Sequence, residues 1–104
     1  MESYSGRDDY ENRALALNDH GLRLYYAGDY TGAIIAYEEA LDLQVQLDNR
    51  QDQAIILLNI GVALGETGRP VEAASAVERS LAISLERGDL QDAEESRART
   101  SSPA

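Results

Sequence analysis

Apolar residues recur along the chain at three- and four-residue steps. Tyr30, Ala33, Ile34, Tyr37, Ala40 and Leu41 follow that rule, and Ala73, Ala74, Val77, Leu81 and Leu85 repeat it. Such spacing puts the apolar positions on one face of an α-helix. Between the two stretches, Ala54 to Leu64 (AIILLNIGVAL) is apolar on most sides, which predicts a helix buried on more than one face. The β-branched and aromatic clusters that mark strands are sparse.

Turn residues interrupt this pattern. Ala27-Gly28-Asp29 ends one helix, and the Asp29 carboxylate can cap the next. Thr67-Gly68-Arg69-Pro70 does the same, with Pro70 in a first turn where its missing N–H costs nothing. Asp48-Asn49 and Gly88-Asp89 mark two further turns. These breaks predict five helices, near 9–27, 30–47, 50–67, 70–87 and 89–98. The short loops make neighbouring helices antiparallel. Residues 1–8 and the tail 99–104 (RTSSPA) are expected to be disordered, leaving one domain over 9–98.

The helices come in matched pairs. When Gly21 is set on Gly61, Leu17 falls on Leu57, Leu24 on Leu64, Gly28 on Gly68, Ala33 on Ala73, Tyr37 on Val77, Ala40 on Ser80 and Leu41 on Leu81, a constant offset of 40 residues. Repetition at such a period predicts stacked helical hairpins. Gly21, Gly61, Ala33 and Ala73 are small and allow close helix approach, while Leu24, Leu64, Tyr37 and Val77 fill the space between hairpins.

The stretches HGLRLYYAGDYTGAIIAYEEAL and IGVALGETGRPVEAASAVERSL resemble the tetratricopeptide repeat, with its small–Leu–Gly–Ala–aromatic or aliphatic–small pattern. The usual repeat is about 34 residues. The longer offset here is similar to the long-helix subclass found in kinesin light chains, cell-polarity adaptors and bacterial peptide-sensing regulators. The resemblance covers roughly residues 14–98 and implies an all-α fold. Two full repeats, about 9–47 and 50–87, would form a solenoid of antiparallel hairpins, closed by a C-terminal capping helix at 89–98. Ser80 departs mildly from the pattern, since a small apolar residue is usual there. Asp92, Glu94, Glu95, Arg97 and Arg99 give the last segment the polarity a solenoid cap needs.

The resemblance also implies a binding surface, because the first helix of each pair lines the concave side in this family. Carried over, Leu15, Asn18, Asp19, Leu22, Tyr25 and Tyr26 of the first repeat face inward, with Ile55, Leu58, Asn59, Val62 and Glu66 of the second. Asn59, equivalent to Asp19, either clamps a bound peptide backbone through its amide or bonds the neighbouring helix. Leu58 and Val62 are equally readable as core. A groove of aliphatic residues edged by Asp19 and Glu66 suits an apolar or amphipathic segment carrying Arg or Lys. Tyr30 and Tyr37 stand at the family's core positions. His20, the single histidine, falls where the family packs a large apolar residue, so a partly buried structural role is expected.

Composition narrows the function further. The 104 residues carry a net charge of −10, with no Cys and no Lys. The acidity argues against nucleic acid, which wants a basic face, and against charge-driven membrane binding. No apolar run approaches the roughly 18 residues of a membrane span, and the polar start MESYSGRDDYE has no targeting character. Without Lys, the Lys–Arg–Asn clamp of the chaperone-binding members has only Asn59 to match it, with Arg97 the nearest basic residue. No phosphate loop, nucleophile elbow, HExxH motif or paired carboxylates suggest chemistry. No catalytic residue, metal site or cofactor is therefore expected. The expectation is a cytoplasmic, non-enzymatic adaptor or accessory subunit that binds a protein or peptide. The Arg-only, Ala-rich composition suggests a bacterial source. Two alternatives stay open: a scaffold whose copies meet through repeat ends as a homodimer, and a peptide-sensing regulator acting on a partner.

Overall fold

The computed structural model describes the backbone of residues 6–101 and the side chains of residues 7–86. It holds four helices: α1 (Gly6–Tyr26), α2 (Tyr30–Gln46), α3 (Arg50–Glu66) and α4 (Pro70–Ser101). Each packs on its sequence neighbour, α1 on α2, α2 on α3 and α3 on α4. Two hairpins are thus stacked through α2 and α3.

All three turns share one device. Asp29 N–H donates to Leu24 O at 2.8 Å, Asn49 N–H to Gln44 O at 3.0 Å and Arg69 N–H to Leu64 O at 3.0 Å. A second bond closes each turn, from Gly28 to Tyr25 O, Asp48 to Val45 O and Gly68 to Gly65 O. This double closure satisfies the last helical carbonyls and needs a left-handed residue just past the helix. Gly28 (φ +89°) and Gly68 (φ +78°) supply it freely, whereas Asp48 (φ +57°) does so as an L-residue. Asp29 caps α2 as expected, its Oδ1 accepting from Gly32 N–H at 3.0 Å. Asn49 precedes α3 without a side-chain cap bond; its Nδ2 donates to Asp52 instead, at 2.9 Å.

The core lies between the hairpins and inside them. Ala33, Ile34, Tyr37 and Ala40 of α2 cluster with Ile56, Ile60, Ala63 and Leu64 of α3 and Ala76 of α4. A second cluster joins Ala54 and Leu57 to Ile83. As its composition implied, α3 buries more than one face while leaving Ile55, Leu58 and Val62 exposed. Ser80, the departure from the repeat, is buried and donates to Ala54 O at 2.7 Å. A hydroxyl there ties α4 to the start of α3, where the first repeat has the methyl of Ala40.

Two boundaries differ from expectation. The turn anticipated at Gly88-Asp89 is absent, and α4 runs through it, so the capping helix expected at 89–98 is a continuation of α4. An interior Gly costs only about 1 kcal/mol, and the flanking sequence LERGDLQDAEE is otherwise rich in helix formers. The helical backbone also includes residues 6–8 and 99–101, within the tails expected to be disordered; 1–5 and 102–104 lie outside the described residues.

Candidate functional site

The odd-numbered helices α1 and α3 meet along one face of the stack. Two side-chain hydrogen bonds bridge them. Asn59 Nδ2 donates to Asn18 Oδ1 at 3.4 Å, and the Tyr25 hydroxyl donates to Glu66 Oε2 at 3.3 Å. Two adjoining depressions lie on this face. The larger, about 230 Å³, is lined by Leu22, Tyr25, Tyr26, Tyr37, Asn59 and Val62. The smaller, about 50 Å³, is bordered by Leu15, Asn18, Gln44, Asp52 and Ile55, among others. The Asn18–Asn59 bond joins one residue from each.

The repeat register explains this gathering. Residues 40 apart occupy equivalent places on α1 and α3, so Leu15 and Ile55 line the smaller depression and Leu22 and Val62 the larger. The structure therefore brings together Leu15, Asn18, Leu22, Tyr25, Tyr26, Ile55, Asn59, Val62 and Glu66. Asp19 stands apart, lining neither depression, and pairs with Arg23 of its own helix at 3.3 Å. Leu58 is exposed and also lines neither depression.

Aromatic contacts build the wall of the larger depression. Tyr25 meets Tyr26 edge to face with ring centroids 5.2 Å apart, and Tyr30 at a tilt with centroids 5.3 Å apart. Burial pushes the Tyr25 phenol above its ordinary pKa, and the Glu66 charge adds to that. Tyr37 is likewise raised, first by burial and then by Tyr26 and Tyr25. Both hydroxyls thus stay protonated donors at neutral pH.

Sequence reasoning missed part of the site. Tyr37, at a core position of the repeat, also lines the larger depression. Gln44 also belongs to the site. It is buried at the border of the smaller depression, and its Oε1 has no partner among the described residues. Its signal was a glutamine four residues after Ala40, on the apolar face of α2. Gln53 is buried beside it, its Nε2 donating to Gln44 O at 3.2 Å and its Oε1 accepting from Arg50 at 3.2 Å. His20 corrects another expectation, since it is exposed rather than partly buried. Its equivalent Ile60 is covered by α2, but among the described residues no helix precedes α1 to cover His20.

Stacked helical hairpins with a seam between their first helices define a helical-repeat protein. A family model described as tetratricopeptide repeat matches residues 12–86, and the chain belongs to that family. No curated protein and no solved structure matches the chain. Repeats of this family are generally protein–protein interaction modules and generally carry no catalysis. No helix among the described residues is long and apolar enough to cross a membrane.

Proposed function

We propose that the protein is an adaptor or accessory subunit that binds an extended segment of a partner along the α1–α3 face. The observation that carries this reading is the row of uncovered groups there. Leu15, Ile55 and Val62 are exposed there and, with the half-buried Leu22, line the two depressions. Leu15 and Leu22, like Ile55 and Val62, are seven residues apart. At 1.5 Å per residue the two depressions are then separated by about 10 Å. An extended segment covers that distance in about three residues.

The test is affinity measured with a partner captured from the source cells and then purified. Leu22→Glu with Asn59→Ala should weaken binding about tenfold or more while helicity stays unchanged. Unaltered affinity in a folded variant removes the assignment. The 40-residue offset supports placing the chain in the long-helix subclass, and its charge and composition support a cytoplasmic, bacterial setting.

A second reading is favoured by one observation. Val77, Leu81 and Leu85 of α4 are exposed, although the matching Tyr37 of α2 is buried and Leu41 half-buried. Association of two copies through this end would cover them.

A further inference from the structure

We propose that the larger depression is a receptor for a cationic side chain, arginine above all, of the bound segment. The proposal rests on the α1–α3 face being the binding face and names the chemistry it selects.

The walls suit a cation. Tyr25 and Tyr26 stand edge to face, and Tyr26 is 80% exposed. Aromatic faces carry negative potential and attract a cation within about 6 Å. None of the six lining residues, Leu22, Tyr25, Tyr26, Tyr37, Asn59 and Val62, is positively charged.

Glu66 supplies the counter-charge. Its carboxylate accepts from the Tyr25 hydroxyl, which holds it beside the depression. Glu11, Asp19, Glu72 and Glu86 are each paired with an arginine, but no arginine among the described residues pairs with Glu66. An ionised carboxylate has about four acceptor sites, so Glu66 can take further donors. Asn59 adds another acceptor, because its Nδ2 is spent on Asn18 and its Oδ1 is not.

The same inventory disfavours other occupants. An acidic side chain would meet Glu66. A purely apolar one would cover the carboxylate and the Tyr25 hydroxyl without supplying donors, which leaves buried polar groups unsatisfied. Arginine fits better than lysine. Its planar guanidinium stacks on a tyrosine ring while its fork reaches two acceptors, and its stem lies against Leu22 and Val62. The net charge of −10 draws such a residue in from solution.

The experiment uses the full chain and three small probes: N-acetyl-arginine methylamide, its lysine counterpart, and the neutral isostere N-acetyl-citrulline methylamide. Ring-proton NMR signals of Tyr25 and Tyr26 and the Asn59 side-chain amide report the site. The arginine probe should shift them saturably, at least about fivefold more tightly than citrulline, with lysine between. Glu66→Gln, an exposed position whose change leaves the core intact, should erase the arginine advantage. Equal binding of arginine and citrulline overturns the proposal, as does an arginine advantage that survives Glu66→Gln. The partner-binding test above fails separately. Loss of the partner in Leu22→Glu/Asn59→Ala with no arginine preference keeps the binding face and removes only the cation receptor.

Discussion

Gly21 of α1 lies directly beneath the ring of Tyr37 of α2. A Cβ built on Gly21 would sit 2.5 Å from Tyr37 Cε1 and 2.6 Å from Cδ1. Forty residues on, a Cβ at Gly61 would sit 2.7 Å from Val77 Cγ2 and 3.2 Å from Ala73 O. Each hairpin is closed by a ring or branched side chain laid across a glycine of the facing helix. The first contact also sets the floor of the candidate site, because Tyr37 lines the larger depression.

Gly21→Ala should therefore force the Tyr37 ring aside and destabilise the protein by about 1–3 kcal/mol, the usual cost of overpacking. Urea denaturation followed by circular dichroism measures it. In a Tyr37→Ala background the same change should cost less, because the clashing ring atoms are gone. The two costs would then be non-additive, as expected for residues in contact. Additive costs would place the strain somewhere other than this contact.

The turn between the two repeats is the one built without glycine. Asp48 adopts φ +57° where Gly28 and Gly68 stand in the other turns. Left-handed backbone disfavours an L-residue, and aspartate tolerates it only in part. Asp48→Gly should stabilise the fold by about 0.5–1 kcal/mol, once the greater freedom of glycine in the unfolded chain is offset. A rise in the thermal midpoint checks this. A fall would mean that the Asp48 side chain contributes more than its backbone costs.

The architecture was legible in the sequence because the 40-residue register repeats both sterics and turns: Gly21 with Gly61, Gly28 with Gly68, Leu24 with Leu64. Helix boundaries set by Gly28-Asp29 and Gly68-Arg69-Pro70 fell within a residue of those found. Gly88-Asp89 misled because a Gly-Asp pair stops a helix only when the chain gains by turning, and α4 keeps its helical bonds through it. The surface followed from the register combined with family geometry. Local partnering did not. The i,i+4 spacing permits the Asp19–Arg23 pair and a bond from Asn59 to the neighbouring helix stood open, but nothing in the spacing named Asn18 as its partner or buried Gln44 with an unpartnered oxygen. Those depend on side-chain rotamers, and periodicity is silent about them.

The tyrosines give a pH-dependent readout. Tyr25 and Tyr37 both hold their protons above the ordinary value of 10.0. Burial is the main cause in each. A phenol whose folded pKa exceeds its unfolded one stabilises the fold fully below the unfolded pKa. That contribution is lost as the pH rises from the ordinary value through the shifted one. Ultraviolet titration of tyrosinate should therefore show Tyr25 and Tyr37 ionising above the ordinary value. Tyr25→Phe and Tyr37→Phe should each remove one late proton, and each should lessen the loss of stability above pH 10.0. Ionisation of Tyr25 and Tyr37 at the ordinary value would contradict the packing described for both rings.

The two ends of the stack differ in a way that fixes how copies could meet. Ile56, Ile60 and Ala63 of α3 pack with Ile34 and Tyr37 of α2. Their equivalents on α1 are Ala16, His20 and Arg23, all exposed, so the first end is polar. At the other end Ala74, Val77, Leu81 and Leu85 stand uncovered, with Leu81 and Leu85 each 56% exposed. Head-to-tail stacking would lay Leu81 near His20 and Arg23. Tail-to-tail contact sets apolar residues against apolar ones and closes at two copies. Analytical ultracentrifugation across concentration should thus show monomer and dimer without larger species. Leu81→Glu should leave monomer alone with helicity intact. Because each copy carries −10, added salt should strengthen the dimer by screening repulsion. Open-ended growth, or a dimer indifferent to Leu81→Glu, would rule out tail-to-tail pairing through α4.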